Sequence, residues 1–274
     1  MQIDEMLQSW SSADPRPEPP IIGQTWYGTY QYPMLFNLWG QQYANVYHRM
    51  LSLGITSQLW KDFGSLACAE FPKGTVFDAG VGRADIARRL LDSCPDTRVI
   101  GGDWSIPFLQ YAQKNLHNAK YKGRVALCHM DLTQVWPGEW QEAFDGVLCN
   151  YVAAYMPIQR QKILLQEAFR VLREDGVLFI NFMVRSIEFR DVLRHNIPQE
   201  LRRNPFALLR AMSLIPIFTK KVDLARDAGL IESFTPKEFE ETARLVGFRD
   251  VSMVGRHLPL TEDKYAVPTY RLVK

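Results

Sequence analysis

The stretch Val76–Asp85, VFDAGVGRAD, decides how this chain is read. An apolar run closes on Asp78, Gly80 and Gly82 follow at G-x-G spacing, and a helical pattern, ADIARRLLDSC, begins at once. Glycines at such a place let the backbone turn tightly and approach a ligand closely. The helix behind them points the unpaired N–H groups of its first turn towards the same space. A G-x-G alone is weak evidence; set between a strand and a helix it marks a ligand-binding turn.

Outward from this turn the texture repeats. RVIGGD (98–103), RVALCHMD (124–131), FDGVLCNYV (144–152) and GVLFINFM (176–183) are apolar runs. Helical patterns separate most of them, IPFLQYAQKNLHN after the second strand and RQKILLQEAFRVLRED (160–175) before the fifth. Strands spaced by helices of this length require right-handed crossovers and a mostly parallel sheet, buried on both faces. Residues 184–231 show no strand pattern and read as inserted helices. FTPKEFEETARLVGF then predicts a helix, with Thr235 as N-cap, Pro236 at its first position, Glu238 completing a capping box and Gly247 as the stop. RDVSMVG and YAVPTYRLV are the last strands, with no helix between them.

These elements predict an α/β, Rossmann-like, doubly wound and mostly parallel seven-stranded sheet with an antiparallel edge strand. N-terminal helices and a helical insertion after the fifth strand complete it. The expected organisation is an irregular arm (1–24), an N-terminal helical cap (25–70), a core (71–183), a helical insertion (184–234) and the C-terminal part of the core sheet (235–274). In the cap, Trp39, Tyr43, Val46, Tyr47 and Met50 recur at helical spacing. Gly54 is expected to end that helix and residues 56–70 to form another.

Composition narrows the function classes. The chain has 274 residues, 47% hydrophobic and 23% charged, with 32 Lys and Arg against 30 Asp and Glu. That is the balance of a globular protein with a full core, and it gives no global case for nucleic-acid binding. Four cysteines stand far apart with no C-x-x-C pair, so they read as small core hydrophobes and no metal site is expected. The opening MQIDEMLQSW is acidic and is not expected to act as a secretory signal, and no apolar stretch is long enough to cross a membrane. A reducing, cytoplasmic setting follows as the expectation.

Three aspartates fall at the carboxyl ends of successive predicted strands: Asp78, Asp103 in GGDWS and Asp131 in CHMDL. That is the crevice where open α/β sheets bind ligands. Asp103 is placed to accept hydrogen bonds from both ribose hydroxyls of an adenosine, and Asp131 to receive the adenine amino group. The bland alternative is that both merely cap helices or solvate loops. The ligand could be a dinucleotide or S-adenosylmethionine. A dinucleotide turn must hold a pyrophosphate, which a carboxylate at the turn's mouth repels. Asp78 suits the amino group of a methionyl moiety instead, and Ala84 stands where the dinucleotide fingerprint has its third glycine.

With these residues in view, residues 74–183 and 235–274 resemble the class I S-adenosylmethionine-dependent methyltransferases, most of all the branch of ubiquinone, menaquinone and small-molecule enzymes. The family pattern D-x-G-x-G-x-G matches Asp78, Gly80 and Gly82 and departs at Ala84. The resemblance implies a ribose-binding acid at Asp103 with Trp104 beside it, and an adenine-side pair Asp131 and Leu132. It also implies a loop NYVAAYMP that faces cofactor and acceptor through Asn150, Tyr151 and Tyr155.

On the acceptor side the sequence says less. His48, Tyr27 and Tyr151 are the candidate catalytic contacts, and Tyr30, Tyr155, Phe206 and Met212 the candidate substrate contacts. Between 185 and 221 the insertion carries eight Lys and Arg against three acids, around an apolar face of Phe206, Leu209, Met212 and Ile215. It can cap an apolar acceptor pocket, rest weakly on a membrane surface or build a homodimer contact. The expectation is methyl transfer to carbon or oxygen of a small, fairly apolar metabolite. A non-catalytic cofactor-binding scaffold, or an enzyme that uses the cofactor without transferring methyl, is the alternative.

Overall fold

The computed structural model describes residues 2–12, 21–22, 54–184, 195, 197–198, 201–203, 205–212, 220, 223–259 and 265–274. In chain order the strands are β1 (Ile21–Ile22), β2 (Lys73–Ala79), β3 (Asp96–Asp103), β4 (Val125–Met130), β5 (Phe144–Asn150), β6 (Leu172–Asn181), β7 (Asp250–Pro259) and β8 (Tyr265–Val273). The helices are α1 (Ile3–Ser12), α2 (Gly54–Glu70), α3 (Asp85–Ser93), α4 (Ile106–Leu116), α5 (Ile158–Val171), α6 (Pro205–Met212) and α7 (Pro236–Val246).

The sheet runs β1-β4-β3-β2-β5-β6-β8-β7. Strands β1 to β6 pair in parallel, and β8 runs antiparallel between β6 and the outermost β7. Seven strands make the expected doubly wound sheet, and β1 adds two residues beside His129 and Met130. The order reverses between β2 and β5, so the carboxyl ends of β2, β3, β4 and β5 open onto one crevice.

Both faces of the sheet are closed by large side chains. Phe77 packs against Trp136, Trp140 and Phe144 at ring separations of 4.9, 5.2 and 5.5 Å. Elsewhere Phe63 of α2 and Phe71 meet Phe179, and Phe182 meets Phe239 of α7 and Tyr270. All of these rings are buried, which is why their strands read as apolar runs without alternation. Helix α2 is also clamped by Arg271 of β8, whose guanidinium meets both Glu70 oxygens at 3.0 and 2.6 Å. The four cysteines are free thiols. Burial pushes the Cys128 thiol far up and that of Cys149 up to about 12, so both behave as core hydrophobes.

Three local readings need correction. The arm expected to be irregular over 1–24 contains α1, because Met6, Leu7 and Trp10 share a face that is buried in the core. The helix expected over 56–70 already begins at Gly54, while the helix that Gly54 was expected to end lies outside the described residues. Helix α5 stops at Val171 instead of Asp175, because Leu172 is drawn into the sheet beside Phe144. The polar residues 173–176 bulge out before pairing resumes at Val177 with Gly146, and Asp175 takes a φ of 63° there.

The expectations on the acceptor side fare differently. Phe206 is 76% exposed and Leu209 63%, whereas Leu208 is buried, so these two residues of the expected apolar face lie at the surface. The helical face Trp39–Met50 and residues Tyr27, Tyr30 and His48 lie outside the described residues, as does the side chain of Met212. No helix among the described residues is long and apolar enough to cross a membrane.

The capping box of α7 is complete: the Glu238 N–H donates to the Thr235 hydroxyl, and the Thr235 N–H donates to the Glu238 carboxylate at 2.8 Å. Thr235→Ala is expected to cost about 1 kcal/mol, lowering Tm by about 2–4 °C in a thermal melt with the fold unchanged.

Candidate functional site

The crevice is built from strand ends. Asp78 and Ala79 finish β2 and the chain turns at once through Gly80 (φ 84°), Val81 and Gly82 (φ 53°) into α3. The turn is pinned to the neighbouring strand, with the Gly80 and Val81 N–H groups both donating to the Gly102 carbonyl, at 2.8 and 3.0 Å. At Gly80 there is no room for a side chain, because a Cβ would come within 2.1 Å of Val152 Cγ2. Gly82 has open space around it and is needed for its backbone conformation alone.

Asp103, the last residue of β3, accepts the Gly82 N–H at 2.8 Å and the Ser105 N–H at 2.8 Å, one on each carboxylate oxygen. Its side chain therefore joins the turn after β2 to the turn after β3. Burial pushes its pKa up to about 6, against the pull of these bonds. Ser105 goes on to cap α4 by accepting the Phe108 N–H. Trp104 lines the crevice, and its carbonyl accepts from His129 Nε2 at 2.8 Å. His129 is thus a tie between β4 and the turn after β3.

Asp78 is 2% exposed. It accepts the backbone N–H of Ala87 in the first turn of α3, while its Oδ2 is buried with no hydrogen-bond partner. Burial first, then the Asp103 charge, pushes its pKa up to about 7. An orphaned, buried carboxylate oxygen at a cavity wall calls for a donor from a ligand, and best of all a cation. Asp131 is also buried; its Oδ1 accepts both the N–H and the hydroxyl of Thr133, at 2.9 and 2.7 Å. It holds its own loop and lines the crevice at the same time.

Two cavities share Gly80, Gly82 and Asn150 in their walls. The larger, of about 660 Å³, runs past Asp103, Trp104, Asp131 and Leu132 to Asn150, Tyr151 and Tyr155. A second, of about 350 Å³, lies over Asp78, Gly80, Gly82 and Asn150 beneath Trp60. The structure thus gathers the strand-end candidates Asp78, Gly80, Gly82, Asp103, Trp104, Asp131, Leu132 and Asn150, together with Tyr151 and Tyr155; Phe206 does not line either space. Trp60 escaped sequence reasoning. It stacks on Tyr151 at 5.9 Å and 24°, yet sits in a helix whose pattern marks it only as packing. Phe108, Thr133, Val152 and Met156 also line the larger cavity without any sequence signal of their own. Buried Asn181 was missed too, although a lone amide in the apolar run of β6 was there to be noticed.

Tyr151 takes a φ of 64°, uncommon for a side chain of its size. Burial, with Tyr155 adding to it, pushes its phenol far above the usual range, so it keeps its proton. Among the described residues no cluster of three or more His, Cys, Asp or Glu could hold a metal ion.

Comparison with known proteins agrees with this fold. Residues 76–176 match a family model described as a methyltransferase domain. No curated protein matches the chain. Among solved structures it is similar to Haemonchus contortus phosphoethanolamine N-methyltransferase 2 in complex with S-adenosyl-L-methionine, at 15% identity and TM-score 0.61, over 89% of this chain and 60% of that one. It is similar to Burkholderia thailandensis 1,6-didemethyltoxoflavin-N1-methyltransferase, at 16% identity and TM-score 0.54, over 88% and 87%. It also resembles the (4+2)-cyclase SpnF, at 13% identity and TM-score 0.53, over 78% and 80%. At such identities the shared property is the fold.

The residues of this crevice fit S-adenosylmethionine. The buried Asp78 oxygen without a partner suits the cofactor's ammonium group, the Asp103 carboxylate suits its ribose, and this cofactor brings no pyrophosphate to face Asp78.

Two predictions follow from this geometry. A carboxyl whose folded pKa is raised from 3.8 to about 7 adds stability that is fully present below 3.8 and is lost as pH climbs to about 7. The ligand-free protein is therefore expected to melt at lower temperature as pH rises from 5 to 7.5. Asp78→Asn should flatten that slope and melt higher than wild type at pH 8. Gly80→Ala meets both the Val152 contact and the positive φ, and is expected to lower stability by at least about 1 kcal/mol and to weaken S-adenosylhomocysteine binding. Adding Val152→Ala should recover only part of the loss, as read by melting and titration calorimetry.

Proposed function

We propose that this protein transfers the methyl group of S-adenosylmethionine to a carbon or oxygen of a small, fairly apolar metabolite by direct displacement. The observation that carries the reading is the buried, unpartnered Oδ2 of Asp78 beside an Asp103 carboxylate spanning two strand-end turns. When bound, the cofactor supplies an electrophilic methyl group on a positively charged sulfur. Asp78 receives the ammonium group, Asp103 the ribose hydroxyls, and Asp131 with Leu132 the adenine edge.

The acceptor end of the cleft is walled by Tyr151, Val152, Tyr155 and Met156, with Trp60 stacked behind Tyr151. These groups position an apolar acceptor and exclude water, which is most of what a displacement at methyl requires. The titratable side chains lining this cavity among the described residues are Asp103, Asp131, Tyr151 and Tyr155. The two aspartates are engaged with backbone N–H groups and Tyr151 keeps its proton. Tyr151 and Tyr155 are therefore read as hydrogen-bond donors and walls, and alignment rather than strong base catalysis as the source of rate.

Titration calorimetry tests the cofactor. Micromolar binding of S-adenosylmethionine and S-adenosylhomocysteine is expected, with none of NAD, and Asp103→Ala should weaken both by tenfold or more. Incubation with metabolite extracts should then yield a product heavier than its precursor by one CH2. Tight cofactor binding with no such product from any extract would count against methyl transfer and favour use of the same fold for another reaction.

A further inference from the structure

The carboxyl ends of β5 and β6 lie side by side, with Asn150 in register with Asn181. Asn181 is fully buried, and both ends of its amide are used. Its Oδ1 accepts the Tyr151 backbone N–H at 2.6 Å, and its Nδ2 donates to Asn150 Oδ1 at 2.8 Å. Tyr151 is the residue held at a φ of 64°. Asn150 lines both the cavity over Asp78 and the cavity beside Tyr151.

The polarity of this chain of amides follows from one fact. A backbone N–H can only donate, so Asn181 must turn its oxygen to Tyr151. Its NH2 group then faces Asn150, which must answer with its own oxygen. The Asn150 NH2 group is left turned away from Asn181, at the wall of the cleft. A backbone amide thus sets, through two side chains, whether the cleft meets a donor or an acceptor.

We infer that Asn181 is a positioning residue that fixes Asn150 as a hydrogen-bond donor to the carboxylate of the cofactor's amino-acid end, and holds Tyr151 in its strained conformation. The inference rests on the cofactor reading above. It complements Asp78: one group meets the ammonium, the other the carboxylate, of the same amino acid.

Asn181→Asp separates the two roles. A carboxylate still accepts the Tyr151 N–H, but it can only accept from Asn150 as well. Asn150 must then reverse and present its oxygen to the cleft. The probes are S-adenosylhomocysteine, which has the amino-acid end, and 5′-methylthioadenosine, which lacks it. By calorimetry at pH 8, Asn181→Asp is expected to weaken S-adenosylhomocysteine by tenfold or more and to change 5′-methylthioadenosine by less than twofold. Asn150→Asp, which keeps the oxygen that Asn181 needs and removes the NH2 group, should do the same and serves where a buried charge at 181 prevents folding. Equal losses for the two ligands, or no loss for either, overturn the inference while the wild-type affinities uphold the cofactor. A wild type that binds neither ligand overturns the cofactor reading and this inference with it.

Discussion

The Asp103 carboxylate is the constraint on which the crevice depends. Its two oxygens take one N–H from the turn after β2 and one from the turn after β3, so two loops that could each move independently are locked to a single side chain. The Gly102 carbonyl reinforces the same junction by accepting from Gly80 and Val81. Charge-assisted bonds of this kind are among the stronger ones a loop can make. They leave the glycine turn preorganised, so a ligand meets a formed surface.

The arrangement has an electrostatic consequence. Asp78 and Asp103 stand close enough for the charge of one to raise the pKa of the other, and both are lifted by burial. Two carboxylates in one dry crevice are a stored repulsion, which a ligand carrying positive charge relieves. The same feature disfavours a pyrophosphate. Selection among nucleotide ligands is therefore written into the sheet before any side chain touches a base. The other end of the larger cavity follows a different logic, with Trp60 on Tyr151 and with Tyr155 and Met156 in a wall that carries no carboxylate.

The strand-end half of the candidate site was legible because strand ends are legible. Asp78, Asp103, Asp131 and Asn150 each close an apolar run, and parallel strands must bring such ends together. The capping box at Thr235 and the strand limits Tyr265–Val273 were equally plain, being local signals. What stayed hidden was long-range. Trp60 joins the site only because α2 crosses the sheet, clamped by Arg271 some two hundred residues away in sequence. Leu172 leaves its helical pattern because Phe144 offers it a place in the sheet. The outward turn of Phe206 and Leu209 could not be read either, since helical spacing shows that a face exists and not which way it points.

Ala84 shows how the two levels meet. It occupies the place where the family pattern has a third glycine, and in sequence it reads as a weakening of the motif. In the fold it takes a φ of 63° and stands as the N-cap of α3, its N–H donating to the Val81 carbonyl at 2.7 Å. Glycine would adopt that conformation freely, and alanine bears a strain of about 1–2 kcal/mol. Its methyl group is fully buried in the core cluster, a contact that a glycine could not make. The motif therefore specifies a backbone shape more than a residue. A small side chain meets that specification when its burial offsets the strain, and the departure at Ala84 is compatible with a fully formed turn.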